Sequence, residues 1–91
     1  MPGKAEFLGT PKGWTGDARL YRVIPSARFK RYFDSRVRRS QFVVVSAIHG
    51  ETYIFPSDRR GNCKNWSELP GSFQGDHDHK RALAQGGWVL L

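Results

Sequence analysis

A run of four residues, Asp76-His77-Asp78-His79, combines two side-chain types that commonly bind divalent metal ions. Such a cluster could serve a metal-dependent nuclease, with His77, Asp78 and His79 as ligands. On a helix, however, residues two positions apart point about 200° away from each other, and the i, i+4 spacing of helical metal sites is absent. The pattern therefore favours a helix that begins at His77 behind the capping carboxylate of Asp76, with no metal and no other cofactor.

The single cysteine, Cys63, is the other side chain that could carry a reaction. Arg59, Arg60 and Lys64 lie near it in sequence, and neighbouring positive charges lower the pKa of a thiol. The sequence places no histidine beside it as a base, and it contains no nucleophile-elbow, P-loop or dinucleotide-binding motif. We therefore predict a protein that is not an enzyme and has no catalytic residue.

Positive charge is concentrated in one segment of the chain. The 91 residues contain 15 Lys and Arg against 8 Asp and Glu, which gives a net charge of +7. Residues 19–39 hold eight of these bases and one acid, Asp34, so the segment carries a net charge equal to that of the whole protein. Seven of the eight bases are arginine, whose planar fork of donors suits phosphate. Such a segment attracts phosphate-rich or carboxylate-rich partners.

The predicted binding surface combines these cations with aromatic rings. We expect it to contact nucleic acid or a nucleoprotein or host protein complex, and a solvated face that only maintains solubility is the alternative. A tyrosine beside arginine suits base stacking or a protein hot spot. The predicted binding residues are Arg28, Lys30, Arg31, Tyr32, Arg36, Arg38 and Arg39, with Arg59, Arg60 and Tyr53 as secondary candidates.

The basic segment has the periodicity of an amphipathic helix over residues 27–39. At about 100° per residue, one arc of this helix would collect Phe29, Val37 and Arg36, and the opposite side would carry Arg31 and Arg38. The alternative is a long, mobile hairpin loop between two strands.

Strand and turn signals outside this segment predict an α+β fold. Residues 1–18, rich in glycine and proline, are expected to form an irregular N-terminal arm. Strands are expected over residues 19–24, 41–48, 51–55 and 88–91, with a tight turn at His49-Gly50 and short helices over 65–69 and 77–85. We therefore predict one domain, residues 19–91, with an antiparallel sheet of about 3–4 strands and one or two short helices packed on it. A basic helix or loop, residues 26–40, would be inserted between the first two strands.

The candidate core centres on residues 41–48, which are apolar on both faces and should form a central strand. Large aromatic residues must supply part of this core, because a chain of this size has few other bulky side chains. Tyr21, Tyr32 and Tyr53 could instead be exposed. The residues expected to be buried are Val43, Val45, Ile48, Ile54, Phe55, Leu83 and Trp88, with Phe42, Trp66 and Phe73 as further aromatic candidates.

Short motifs in the C-terminal half form a recognisable pattern: VVVSA at residues 43–47, ETYIFP at 51–56, NWSELPGS at 65–72 and DHxxAL at 78–83. This pattern resembles small uncharacterised proteins of phages and prophage islands. The resemblance implies an origin in a mobile element, and it implies no activity and no site residue. Residues 27–39 lie outside the pattern, as expected of an insertion between strands, where functional variation often lies.

These observations predict a small, basic, non-enzymatic binding protein encoded by a phage or mobile element. The alternative is a phage inhibitor of a host protein machine, anti-CRISPR-like or otherwise directed at host defence or takeover, that acts through protein contact. No apolar run approaches the roughly 20 residues that a membrane span requires, and the N-terminus lacks the apolar segment of a secretory signal. We therefore expect a protein in the cytoplasm of a bacterial host, with no membrane partner.

Overall fold

Six strands and one helix make up the fold in the computed structural model, which describes residues 2–31 and 33–91. In chain order they are β1 (Gly3–Gly9), β2 (Asp17–Lys30), β3 (Val37–Ile48), β4 (Glu51–Ser57), β5 (Phe73–Gln74), α1 (His79–Gln85) and β6 (Trp88–Leu90). The strands form one sheet in the order β5-β4-β3-β2-β1-β6. Neighbouring strands are antiparallel except β1 and β6, which are parallel.

The sheet dominates the molecule and curls into a half-barrel, and α1 is the one helix within the described ranges. The predicted α+β class, with a sheet of about 3–4 strands, is therefore wrong. Residues 3–9, which were expected to be irregular, and most of residues 27–39, which were expected to form a helix or a loop, are strands instead. A curled sheet encloses much of its own core, so this chain needs little helix to cover it.

Residues 3–9, which were predicted to be irregular, form β1. Ala5 is fully buried, and it lies opposite Val23 of β2 on one side and Leu90 of β6 on the other. The backbone N–H of Leu91 also donates to the carbonyl of Ala5 (2.9 Å). The prediction that the apolar C-terminus joins the sheet is therefore confirmed, and β1 is the strand that receives it.

The two longest strands, β2 and β3, form a hairpin that contains the basic segment. Their register pairs Arg28 with Arg39 and Lys30 with Val37. The helix predicted over residues 27–39 is therefore wrong, and the alternative loop is wrong for every part of that range that lies in β2 or β3. Burial alternates along β2, with Phe29 inward and Arg28 outward, and this period of two belongs to a strand.

A bulge carries β2 past Pro25, where the strand was predicted to end. The register with β3 shifts between Arg22 and Ala27, so several residues of β2 lie opposite a shorter stretch of β3. Proline has no N–H to donate to a ladder and is tolerated in sheets at such irregular positions. On the other side of the bulge, the Ser40 hydroxyl donates to the carbonyl of Ser57 (2.6 Å), which fastens β3 to β4.

The main core lies between α1 and one face of the sheet. Val44 points to the opposite face, where it packs with Ala18 and Leu20. Because side chains alternate along a strand and both faces of β3 are covered, the prediction of a central strand is confirmed. Among the predicted core residues, Val43, Val45, Ile54, Leu83 and Trp88 are buried, whereas Phe42, Ile48, Phe55 and Phe73 are half-buried.

The β3–β4 turn and the helix follow the predicted order with shifted ends. His49 and Gly50 both have positive φ (52° and 73°), which closes the predicted antiparallel hairpin with a turn suited to its twist. Helix α1 begins at His79, later than predicted, because Asp78 and not Asp76 caps it by accepting from the N–H of Arg81. Residues 65–69, all described, contain no helical turn.

Candidate functional site

The outward side of the β2–β3 hairpin brings three cations together. Arg28 lies directly opposite Arg39, and Lys30 follows two positions along the same strand as Arg28. Because opposite residues and residues two apart share one face of a sheet, these three side chains project to the same side. Ala27 and Phe29 point the other way, into the core, and hold the strand in place. Arg28, Lys30 and Arg39 are hereafter the cationic face.

The cationic face has no carboxylate partner in the part of the chain that the structure describes. Every ion pair found there within 4.0 Å involves other cations: Arg19 with Asp17 (3.1 Å), Arg22 with Glu6 (3.5 Å), Arg36 and Arg38 with Asp34 (3.4 and 3.1 Å), and His79 with Asp17 (3.8 Å). Like charges directly opposite each other destabilise a sheet. An anion bound between Arg28 and Arg39 would offset that repulsion.

The cations nearer the tip are held by Asp34. Its carboxylate accepts from the backbone N–H of Arg36 (3.0 Å) and from the guanidinium groups of Arg36 and Arg38. These hydrogen bonds, led by the one from the Arg36 backbone, lower the pKa of Asp34. The predicted helix placed Arg36 on the apolar arc and Arg38 on the opposite side, and the structure shows the reverse. Arg36 is the exposed side chain (77%), and Arg38 lies opposite the buried Phe29. Asp34 partly neutralises both arginines.

One further predicted binding residue lies near the same tip. Arg31 is exposed, directly after the end of β2. Its backbone carbonyl accepts from the N–H of Asp34 (3.0 Å), which closes a turn. Tyr32 lies outside the described residues.

A cavity of about 420 Å³ opens beside the bulge and contains two members of the cationic face. Arg22, Arg28 and Arg39 line it together with the polar side chains of Ser26 and Gln41. Arg28 and Arg39, together with a hydroxyl and an amide, supply types of donor that suit phosphate oxygens, whereas the guanidinium of Arg22 pairs with Glu6 (3.5 Å). The bulge at Pro25 makes this opening, because it spreads β2 away from the regular register with β3.

The secondary candidates occupy a different part of the surface. The Asp58 carboxylate accepts from the backbone N–H of Arg60 (2.8 Å) and from Asn62, whose side-chain hydrogen bond is the main reason that the pKa of Asp58 is lowered. Arg60 lines a separate cavity of about 520 Å³ with Leu8 and other residues, and Arg59 is exposed. These arginines therefore do not extend the cavity beside the bulge.

An aromatic cluster that the sequence did not predict as a surface feature lies beside β4. The ring of Trp66 contacts those of Trp14 and Phe55, with centroids 5.3 Å and 5.6 Å away, and Tyr53 packs against Phe55 (6.1 Å). Trp66 is 72% exposed, so its predicted place in the core is wrong. The polar neighbours Asn65 and Ser67 were the available signal for exposure, because they surround Trp66 without any apolar periodicity. Hereafter Trp14, Phe55 and Trp66 are the aromatic cluster.

The side chains of the Asp76–His79 run form hydrogen bonds that support the fold. The N–H of Gly50 donates to Nε2 of His77 (2.9 Å), and Nε2 of His79, which is buried, donates to the carbonyl of Asp17 (2.8 Å). Asp78 caps α1. Within residues 2–31 and 33–91, no group of three or more His, Cys, Asp or Glu side chains is placed to hold a metal ion.

Cys63 is half-buried, and its thiol donates to the carbonyl of Asn65 (3.1 Å). Burial raises the pKa of this thiol. Arg59, Arg60 and Lys64, which could have lowered this pKa, do not do so, because removal from water outweighs charges that are near only in sequence.

Comparisons with protein-family models, curated proteins and solved structures found no match to this chain. Across residues 2–31 and 33–91, no helix has the length and apolar character needed to cross a membrane.

Proposed function

We propose that this protein is a non-enzymatic binding protein that contacts nucleic acid, free or within a nucleoprotein complex, through its cationic face. The observation that supports this most directly is the placement of Arg28 opposite Arg39 with no carboxylate partner among the described residues. Phosphates offset the repulsion between them, whereas an uncharged partner does not. The proposal includes a phage or other mobile element as the source and the cytoplasm of a bacterial host as the location.

The contact would be mainly electrostatic. Phosphate groups would bind at Arg28, Lys30 and Arg39, and the cavity of about 420 Å³ is also lined by the polar residues Ser26 and Gln41. Binding of this kind releases counterions, so affinity falls steeply as salt rises. The strands are paired from Ala27 to Lys30, so the backbone positions that carry these cations are fixed before the ligand arrives.

The experiment measures binding of labelled oligonucleotides by fluorescence anisotropy over a series of salt concentrations. The variant Arg28→Glu/Arg39→Glu should lose most of its affinity. If each arginine contacts one phosphate, the slope of log affinity against log salt should fall by roughly 1.4 to 1.8. A matched control, Lys12→Glu/Lys80→Glu, changes the net charge equally at exposed positions outside the hairpin and should bind almost as well as the wild type.

Equal losses in both variants would mean that net charge alone governs binding, and the cationic face would then have no special role. Unchanged binding in Arg28→Glu/Arg39→Glu would reject the proposal outright. Circular dichroism of each variant checks that the fold is retained.

A second candidate is a phage inhibitor that acts on a host protein machine through protein contact. Exposed apolar side chains at the hairpin end, Phe33 (97%) and Val37 (56%), favour it because they lie among cations as hot-spot residues do. A pull-down from host lysate with and without nuclease separates the two. Recovery that nuclease abolishes supports nucleic acid, and a nuclease-resistant protein partner that depends on Phe33 supports the inhibitor.

A further inference from the structure

The aromatic cluster presents a flat, exposed ring on a rigid base. Trp14, Phe55 and Trp66 contact one another pairwise, with centroids 5.3 to 5.7 Å apart. A large aromatic side chain is normally buried, since it contributes much apolar area. Trp66 remains 72% exposed although two other rings lie against it. One part of the indole is therefore supported by protein, and the rest faces solvent.

Hydrogen bonds hold the indole of Trp14 and the backbone next to the other two rings. The indole N–H of Trp14 donates to the carbonyl of Gly61 (2.8 Å). Phe55 is a residue of β4 and lies opposite Val44 of β3. The loop before Trp66 is tied to β4 because the N–H of Lys64 donates to the carbonyl of Pro56 (2.8 Å). A ring held in this way loses little conformational freedom when a ligand stacks on it.

The same loop joins the aromatic cluster to the hairpin that carries the cationic face. The side-chain amide of Asn65, next to Trp66, donates to the backbone carbonyl of Lys30 (3.3 Å). A cavity of about 330 Å³ lies at this junction, and its lining includes Arg28 and Lys30 from the hairpin and Asn65, Ser67 and the acidic Glu68 from the loop, together with the apolar residues Phe29, Val37, Leu69 and Pro70. The residues on both sides of Trp66 therefore share a groove with two members of the cationic face.

We infer that the ligand is single-stranded nucleic acid, with phosphates on the cationic face and a base stacked on Trp66. This inference rests on the proposed function. In a duplex the bases already stack on each other and cannot cover a ring on a protein surface, whereas an unpaired base can. The charge beside the ring favours an anionic occupant, because an uncharged apolar partner would leave the repulsion between Arg28 and Arg39 in place, and a single strand offers phosphates and a flat unpaired base together.

The test compares a single-stranded oligothymidine with a duplex of the same length at one low salt concentration. Wild-type protein should bind the single strand more tightly, and its tryptophan fluorescence should be quenched on binding. Trp66→Ala should weaken single-strand binding by about 5- to 150-fold, the range for loss of one stacked base, and leave duplex binding unchanged. Trp66→Phe should restore part of the affinity. Phe7→Ala, at an exposed aromatic residue of β1, is the matched control and should bind as the wild type does.

The outcomes separate this inference from the function on which it rests. If the Arg28→Glu/Arg39→Glu variant loses binding but Trp66→Ala binds both ligands normally, the proposed function stands and the stacking inference is overturned. Failure of the wild type to bind either ligand overturns both. A protein partner captured through Trp66 with no oligonucleotide affinity also overturns both. Thermal melting of Trp66→Ala must match that of the wild type, and Trp66→Phe provides a second measurement if it does not.

Discussion

Replacing Arg39 with glutamate should stabilise the protein while weakening its binding to nucleic acid. The substitution turns the facing pair of Arg28 and Arg39 from two like charges into an ion pair. A directly opposite pair on a sheet changes stability by about 0.2–1 kcal/mol, with the sign set by the charges. Both side chains are exposed, so we take the low end of this range, about 0.2 kcal/mol, for the repulsion removed and the same value for the attraction gained. The free energy of unfolding should therefore rise by about 0.4 kcal/mol.

For a domain of this size, that gain corresponds to a rise in Tm of about 2–3 °C. Differential scanning calorimetry at low salt measures it, and the gain should shrink as salt screens the pair. Arg39→Gln is the matched control, because it removes the repulsion without adding attraction and should raise Tm by about half as much. A fall in Tm for Arg39→Glu, or a gain that salt does not reduce, would refute the reasoning. The two arginines would then not repel each other in the folded protein.

Three further outcomes test the fold and the local chemistry. Val44→Asp should unfold the protein, since Val44 is fully buried in a central strand and an unpaired buried carboxylate is costly; circular dichroism would detect the loss of structure. Because the pKa of Asp34 is lowered in the folded state, its stabilising effect is present above the ordinary aspartate pKa of about 4 and is lost as pH falls through the lower folded value. Asp34→Asn should therefore flatten the dependence of Tm on pH in acid, and an unchanged profile would contradict this role. Burial raises the pKa of Cys63, so alkylation at mildly alkaline pH should be slower in the folded protein than in urea, and equal rates would show that the thiol is not protected.

The sequence was most informative where one structural signal had no rival. β3 is apolar on both faces, and a segment of that kind has few places other than the centre of a sheet. His49-Gly50 marked the next turn because both positions accept positive φ. Trp88 was found in the core because an apolar C-terminal segment requires a partner surface, and Leu83 because it falls on the inner side of the predicted helix.

The helix prediction for the basic segment failed because its residues fit both the period of a helix and the period of a strand. Phe29 and Val37 satisfy a helical arc, yet Ala27 and Phe29 also satisfy the alternation of a strand. Local preference does not decide between these, and the partner strand that decides is specified only by the long-range register of β2 with β3. The residues of the cationic face were therefore predicted, but their arrangement in space was not. The pairing of Arg28 with Arg39 could not be anticipated.

A rival explanation of the cationic face needs no ligand at all. β1 pairs with β2 only as far as Ile24, and β4 pairs with β3 only as far as Phe42. Within the described residues, the hairpin end therefore has no third strand beside it. Exposed strand edges invite pairing with other chains, and charged side chains prevent such pairing.

The two explanations differ in the sign of charge that they require. Protection of an edge is satisfied by any charge, whereas phosphate binding requires a positive one. Arg39→Glu keeps a charge at the edge, so its oligomeric state by light scattering should equal that of the wild type while oligonucleotide binding is weakened. Arg39→Leu, which removes the charge, should promote self-association if edge protection matters. An Arg39→Glu variant that binds oligonucleotides as well as the wild type would leave edge protection as the remaining role of Arg39, because no phosphate contact at that position could survive the reversal.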